Sequence, residues 1–482
     1  MTTLTQEDLS EVLDELCIAN TAFAHRYPGE SHDRQPVHTI YGGAQLFKKD
    51  TAEKIGKLAR GSLTQYAPNF VAFAQALQFP GYEDLPTYQG NVDELIEHVT
   101  QNNAQMQKEA PHIWLAHAVY DRMVKKLERE PVEDFRIDFE DGYGNRPDDE
   151  EDGDAKRTAG EVALGMTEGT LPPFIGIRIK PLSEQLKRRS LRTLDLFVST
   201  LVEKTGGKLP DNFVVTLPKV VMKEEVSSLV KVFGMLESKL NLAPGTLKME
   251  IMIETTQSIL GPNGSSRLPV LVDAGAGRIT GCHFGTYDYT ASCQITADHQ
   301  VMDHPSCDFA LEMMKVAYGN TGIFLSNGAT NVMPVGPHAK PKDGTSLSDA
   351  QLQENADVVH RAWRLSYSHI RHSLIMGYYQ GWDLHPAQVP IRYAAMYYFF
   401  LEGARMASLR LKSFMDKAAQ ATLVGDVFDD AATGQGLLNY FLRGMNSGAI
   451  SEEEATDTGL TLEEIRSRSF AKILDDRRQN NG

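Results

Sequence analysis

The chain has 482 residues, 41% hydrophobic and 23% charged, the balance of a globular protein with a large buried core. Asp and Glu outnumber Lys and Arg by 64 to 48, giving a formal net charge of −16; this excludes a nucleic-acid binder, which needs a basic face to neutralise phosphates. Four scattered cysteines, none in a CxxC pair, argue against structural zinc and against a disulfide framework.

The N-terminus, MTTLTQEDLSEVLDEL, is polar and acidic, with neither the basic nor the apolar region of a signal peptide. No apolar run approaches the roughly 18 residues of a membrane span. The expectation is a soluble, cytoplasmic protein with no membrane partner.

Short apolar runs rich in β-branched residues alternate with helix-like segments. In chain order the runs are VHTIY (37–41), FRIDFED (135–141), FIGIRIK (174–180), FVVTLPK (213–219), MEIMIET (249–255), ITGCHFG (279–285), GIFL (322–325) and GWDLHP (381–386). Continuous apolar runs read as strands buried on both faces, and strands alternating with helices imply parallel pairing. Eight such units predict a (β/α)₈ TIM barrel in the α/β class. The rival is a doubly wound open sheet, but no GxGxxG follows the first strand.

Residues 1–34 are expected to be an N-terminal helical segment, 35–400 the barrel, and 401–482 a C-terminal helical appendage near the barrel mouth. Two stretches, 61–130 and 329–380, exceed what a plain βα unit needs and are expected as largely helical insertions.

Barrel chemistry sits at the C-terminal ends of the strands. There the sequence places Asp138, Glu140 and Asp141 on the second strand, Arg178 and Lys180 on the third, Lys219 on the fourth and Glu254 on the fifth. Asp288 follows the sixth strand and His385 the eighth. Charge at the end of a buried strand is costly unless paired or bound to a metal. Glu254 and Asp288, from neighbouring strands, provide hard oxygen ligands suited to Mg²⁺ or Mn²⁺; the alternative is that each pairs with an Arg or Lys. Arg178 can grip a substrate carboxylate with two parallel hydrogen bonds, or form a salt bridge to Asp138 or Glu140. The acids of DFEDG, with Lys219, are expected behind the metal, orienting Arg178 and metal-bound water. Gly42 and Gly43 either admit substrate close to the backbone or simply make a turn. His385 is a candidate proton carrier or a loop-fixing residue, and Lys219 a candidate Schiff-base nucleophile.

The pieces IDFEDGYG, FIGIRIKP, VVTLPKVV, MIETTQSIL, HFGTYDYT and GWDLHPAQV occur in one order across more than half of the chain. In this order they resemble the HpcH/HpaI aldolase and citrate lyase β-subunit-like family of the phosphoenolpyruvate/pyruvate superfamily, and most of all a longer branch carrying PVEDFRIDFEDGYG. The resemblance implies a magnesium-dependent carbon–carbon lyase acting on an oxo- or hydroxy-acid through a stabilised enolate, with an acyl-CoA as a substrate of some relatives. It assigns the metal to Glu254 and Asp288, the substrate carboxylate to Arg178, and the supporting acids to Glu140 and Asp141. A late base, sometimes lent by a neighbouring subunit of a homo-oligomer, maps onto the GDVFDD turn, where Asp430 or Asp429 is the candidate. Lys180 stands where relatives usually carry Asn, which points to a different acid or a phosphate, and YGG replaces the usual Pro-Gly turn. The alternatives are a phosphoenolpyruvate-using phosphotransferase, with Lys180, Lys219 and Arg178 on the phosphate, and a barrel that binds a metabolite without catalysis.

Overall fold

The computed structural model describes residues 3–480 apart from 30, 32, 341–344, 417–421, 425–426 and 430. Eight strands form the central sheet: β1 (His38–Gly43), β2 (Asp134–Asp138), β3 (Phe174–Arg178), β4 (Phe213–Leu217), β5 (Lys248–Ile253), β6 (Ile279–Phe284), β7 (Phe324–Ser326) and β8 (Gly381–Asp383). All neighbours pair in parallel, in the order β7-β6-β5-β4-β3-β2-β1-β8. A parallel bridge between Ser326 and Gln380 joins the two edges, helped by the Asn327 N–H donating to the Gln380 carbonyl at 2.9 Å. The sheet is therefore a closed TIM barrel, and the open-sheet alternative falls.

Side chains alternate along each strand. Phe135, Ile137, Ile175, Ile177, Val215, Ile251 and Ile253 are buried in the core. Charged residues also point inward, Arg136 on β2 and Glu250 on β5, and they meet one another inside the barrel. Arg136 donates to Glu250 Oε1 at 2.7 Å and to Thr216 Oγ1 at 3.1 Å, and it also pairs with Asp134. Asp134 accepts from Thr39 at 2.7 Å, and Gln380 donates to Thr39 at 2.9 Å. Barrel interiors are usually packed by branched aliphatics; this one carries a buried ionic column.

At the N-terminal rim His38 ties three strands together. It accepts the Glu133 N–H at Nε2, so its Nδ1 carries the proton and donates to Asp383 at 2.9 Å.

Both insertions are largely helical. The first folds as Phe70–Leu77, Gln89–Gln101, Asn103–Glu109 and Pro111–Arg129; the second contains Asp349–Ile375, opened by a Ser348/Gln351 capping box. Trp363, Phe73 and Phe79 are buried where these helices meet. The helix Val389–Asp416 runs through residue 400, so the expected C-terminal segment begins inside a continuous helix. The described part of that segment does not stand beside the mouth, as expected, but toward the N-terminal ends of the strands. Arg443 donates to Gln35, just before β1, at 2.8 Å, and Glu454 pairs with Arg122. The reason is apolar: Leu438, Phe441, Ile450 and Ile465 are buried and need a covering surface. Helix α1 (Gln6–Arg26) precedes the barrel and is anchored near its end by Arg26 to Asp273 at 2.9 Å. Among the described residues no helix is long and apolar enough to cross a membrane.

Candidate active site at the barrel mouth

Asp138 ends β2 and organises everything next to it. Its two oxygens take the Nε and Nη2 donors of Arg178, at 2.7 and 2.6 Å, and also accept the N–H groups of Glu140 and Gly142. The fork expected to grip substrate is thus turned toward Asp138, because a buried guanidinium finds its nearest carboxylate on the adjacent strand. Nη1 remains toward the mouth, 3.3 Å from Glu140 Oε2. The guanidinium also lies over the Tyr41 ring, 4.7 Å from its centroid.

Across the mouth, Lys219 follows Pro218 at the end of β4 in the left-handed region, with φ of 51°. That turn aims its N–H at Glu254 Oε1, 2.6 Å away. Its ammonium stands 2.5 Å from Glu140, 3.1 Å from Asp141 and 3.3 Å from Asp288. Glu254 is buried just beyond β5, and Oε2 accepts no hydrogen bond among the described residues. Gly285 closes against it, since a Cβ there would overlap the Glu254 side chain. Asp288 sits in the first turn of the helix Thr286–Ser292, where a negative charge suits the helix dipole.

Two of these carboxyls resist ionisation. Burial, reinforced by the charge of Asp288, pushes Glu254 up to about 8 despite Lys219 and Arg178. Burial also raises Glu140, to about 7, with Asp141 adding to the rise. Burial works against charge on Arg178 and Lys219 too, but their carboxylate neighbours outweigh it and hold both in the charged form.

Other expected site residues lie elsewhere or serve the fold. Lys180 is turned away from the mouth: its ammonium donates to the Phe139 carbonyl and pairs with buried Glu151 at 2.9 Å. Gly42 and Gly43 are demanded by protein packing, because a Cβ would strike the Phe135 ring or the Gly142 carbonyl respectively. His385 caps the turn Pro386–Gln388, its Nδ1 accepting the Ala387 N–H at 3.1 Å, and burial lowers its affinity for a proton. Asp430 lies outside the described residues, as does the side chain of Asp429.

Sequence reasoning missed a second line of polar groups beneath the mouth. Tyr41 stacks between Arg178 and Trp382, and its hydroxyl lies 3.1 Å from His283 Nδ1. The Trp382 indole N–H also points at Nδ1, at 3.3 Å; since indole only donates, Nδ1 is the bare nitrogen and Nε2 holds the proton, 3.3 Å from Glu250. The available signal was a polar or aromatic residue standing within each apolar run: Tyr41 in VHTIY, Glu250 in MEIMI, His283 in ITGCHFG and Trp382 in GWDLHP.

A cavity of about 1210 Å³ opens at the opposite end of the barrel, lined in part by Arg26, Arg34, Arg136 and Lys248. The three arginines are paired with Asp273, with Glu130 and Glu133, and with Asp134 and Glu250. It lacks the surplus of like charge found at the mouth, where chemistry is more readily placed.

A closed parallel barrel with charged strand ends defines the architectural class, and the family follows. The chain belongs to the family DUF6986, described as a domain of unknown function, whose profile matches residues 16–473. Among solved structures it shares the fold of a citrate lyase from Burkholderia xenovorans LB400, at 17% identity and a TM-score of 0.50, covering 71% of this chain and 92% of that one. Two further structures match at lower scores. A CitE protein from Mycobacterium tuberculosis, in complex with magnesium, acetoacetate and coenzyme A, is 13% identical with a TM-score of 0.40, covering 68% of this chain and 95% of that one. A Haloferax volcanii malate synthase is 12% identical with a TM-score of 0.45, covering 92% and 99%. No curated protein matches the sequence.

Proposed function

We propose that the chain is a divalent-metal-dependent carbon–carbon lyase acting on a small oxo- or hydroxy-carboxylic acid. The observation that carries the reading is the charge imbalance at the mouth: the buried carboxyls of Asp138, Glu140 and Glu254 and the more exposed ones of Asp141 and Asp288 converge with, among the described residues, only Arg178 and Lys219 between them. Buried like charges are tolerated when a cation joins them. The reaction class comes from the motif resemblance, IDFEDGYG through GWDLHPAQV.

The donor set fits Mg²⁺ or Mn²⁺. Among the described residues Glu254 Oε2 is free of protein hydrogen bonds and Asp288 is met by Lys219 alone. Glu254 and Asp288 would hold the ion together with water and substrate oxygens; among the described residues no group of three or more His, Cys, Asp or Glu side chains able to hold a metal occurs. Bound there, the ion would supply Lewis-acid stabilisation of negative charge developing on a substrate oxygen.

The chain's own groups do the rest. Arg178, held rigid by Asp138, presents Nη1 to a substrate carboxylate. Lys219 balances Glu140 and Asp141 and keeps a cation beside the reacting oxygens. Tyr41 and Trp382 form a half-buried floor that limits water. His385 Nδ1 accepts the Ala387 N–H and holds its turn, which leaves the ring proton on Nε2 as a hydrogen-bond donor. The phosphotransferase alternative needs Lys180 on a phosphate, and the Glu151 pair holds that ammonium away.

The test is a thermal-shift series followed by product analysis. Mg²⁺ or Mn²⁺ should raise the melting temperature, and pyruvate, glyoxylate, oxaloacetate or an acyl-CoA should raise it further. EDTA should abolish turnover, and Glu254→Gln should lose both the metal shift and activity with an unchanged circular dichroism spectrum. Full activity of metal-free Glu254→Gln protein would falsify the reading.

A further inference from the structure

His283 stands on β6 with no exposed surface, beneath the half-buried rings of Tyr41 and Trp382, so it touches no substrate at the mouth. Phe324, on β7, packs edge-on against its imidazole, with 6.0 Å between centroids. Its bare Nδ1 receives both polar hydrogens of the floor: the Tyr41 hydroxyl from β1 at 3.1 Å and the Trp382 indole N–H from β8 at 3.3 Å. Neither donor has another acceptor among the described residues. A buried donor left without an acceptor is costly, so one nitrogen orients both rings.

That nitrogen is fixed from below. Nε2 faces Glu250 at 3.3 Å, and Arg136 grips both oxygens of Glu250, at 2.7 and 3.1 Å. The carboxylate keeps the ring proton on Nε2 and leaves Nδ1 free to accept. Above, the Tyr41 ring stacks on Trp382, 4.5 Å between centroids, and carries the Arg178 guanidinium at 4.7 Å. Arg178 is therefore held twice: Asp138 takes Nε and Nη2, and the face of Tyr41 supports the plane of the guanidinium. A shift of Tyr41 moves Nη1, the donor left toward the mouth.

We propose that His283 is a positioning residue for this site: as the shared acceptor of Tyr41 and Trp382 it sets the plane of the floor and, through Tyr41, the aim of Arg178 at a substrate carboxylate. The substrate in this statement, a small oxo-acid, rests on the lyase reading above; the geometry does not. The ionic column gains a second role, since it selects the tautomer on which the floor depends.

Leu and Asn are close in size, but only Asn can place an acceptor oxygen where Nδ1 stands. In saturating Mg²⁺, His283→Leu should weaken pyruvate binding by about 10-fold in calorimetric titration, the order expected when buried donors lose their acceptor. Its melting-temperature gain with Mg²⁺ should stay as in wild type, and His283→Asn should recover most of the pyruvate affinity. Tyr41→Phe/Trp382→Phe protein should bind pyruvate weakly, and adding His283→Leu to it should weaken it no further. Without any ligand, the Trp382 indole N–H resonance, assigned by its loss in Trp382→Phe, should move upfield in His283→Leu and far less in His283→Asn. An unmoved resonance, unchanged pyruvate affinity in His283→Leu, equal loss in the Leu and Asn variants, or a loss that persists in the Tyr41→Phe/Trp382→Phe background would each overturn the inference. If His283→Leu does not fold, wild-type pyruvate affinity in Tyr41→Phe/Trp382→Phe protein overturns it instead. A wild-type chain that binds no pyruvate counts against the lyase reading, while the indole resonance still decides whether His283 holds the floor.

Discussion

Lys219 holds a left-handed backbone conformation that costs an L-residue roughly 1–2 kcal/mol, a cost usually found where function demands it. The conformation serves two bonds at once: the N–H to Glu254 and the ammonium among Glu140, Asp141 and Asp288. Lys219→Gly and Lys219→Ala remove the same charge but differ in strain. Both should bind Mg²⁺ more tightly by about 5- to 10-fold, from the loss of one competing positive charge at a partly solvated site. The glycine variant should be the more stable by about 1 kcal/mol, because glycine adopts this conformation freely. Calorimetric titration and urea melts check both. Gly285 makes the complementary case. Gly285→Ala must displace the Glu254 carboxyl, so the melting-temperature gain with Mg²⁺ should fall by at least half in thermal shift.

At the scale of elements, the barrel is fastened by ion pairs where helices return to strands. Glu237, near the end of the helix Lys223–Leu240, receives Arg278 at 2.6 and 2.7 Å and the N–H groups of Leu247 and Gly245. Burial raises its carboxyl, but these donors outweigh burial and hold it at about 2, against an ordinary 4.5. A lowered carboxyl pKa stabilises the fold fully above the ordinary value and loses that contribution as pH falls toward the folded value. Glu237→Gln should therefore cost about 3 kcal/mol at neutral pH. The gap from wild type should narrow steadily below about pH 4.5. Denaturant melts across that range give the curve. A gap independent of pH would assign the residue's contribution to packing.

For the molecule as a whole, the ionic column inside the barrel has the energetics of a buried network. Arg136 is 1% exposed and pairs with Asp134 and Glu250, themselves as deeply buried. Arg136→Met leaves two unpaired buried carboxylates and should cost about 3–5 kcal/mol. Adding Asp134→Asn and Glu250→Gln to it should recover much of that loss. The melting temperatures of the single and triple variants test this. The same column explains a limit of sequence reading. FRID and MEIMI announce buried strands through their apolar residues, but nothing in a linear pattern says that Arg136 and Glu250, separated by 114 positions, would satisfy each other.

What the amino-acid sequence determined alone was the order and nature of the strands, because apolar β-branched runs that alternate with helical segments bury both faces in a parallel sheet wrapped by helices. It also determined that Asp138, Arg178, Lys219, Glu254 and Asp288 would gather at one rim, since the C-terminal ends of parallel strands share an end of the barrel. Only tertiary structure decided who partners whom. Arg178 went to Asp138, Lys180 to Glu151, and the described C-terminal helices to the far end, because hydrogen-bond direction and the need to cover apolar surface are settled in three dimensions, among residues distant in the chain.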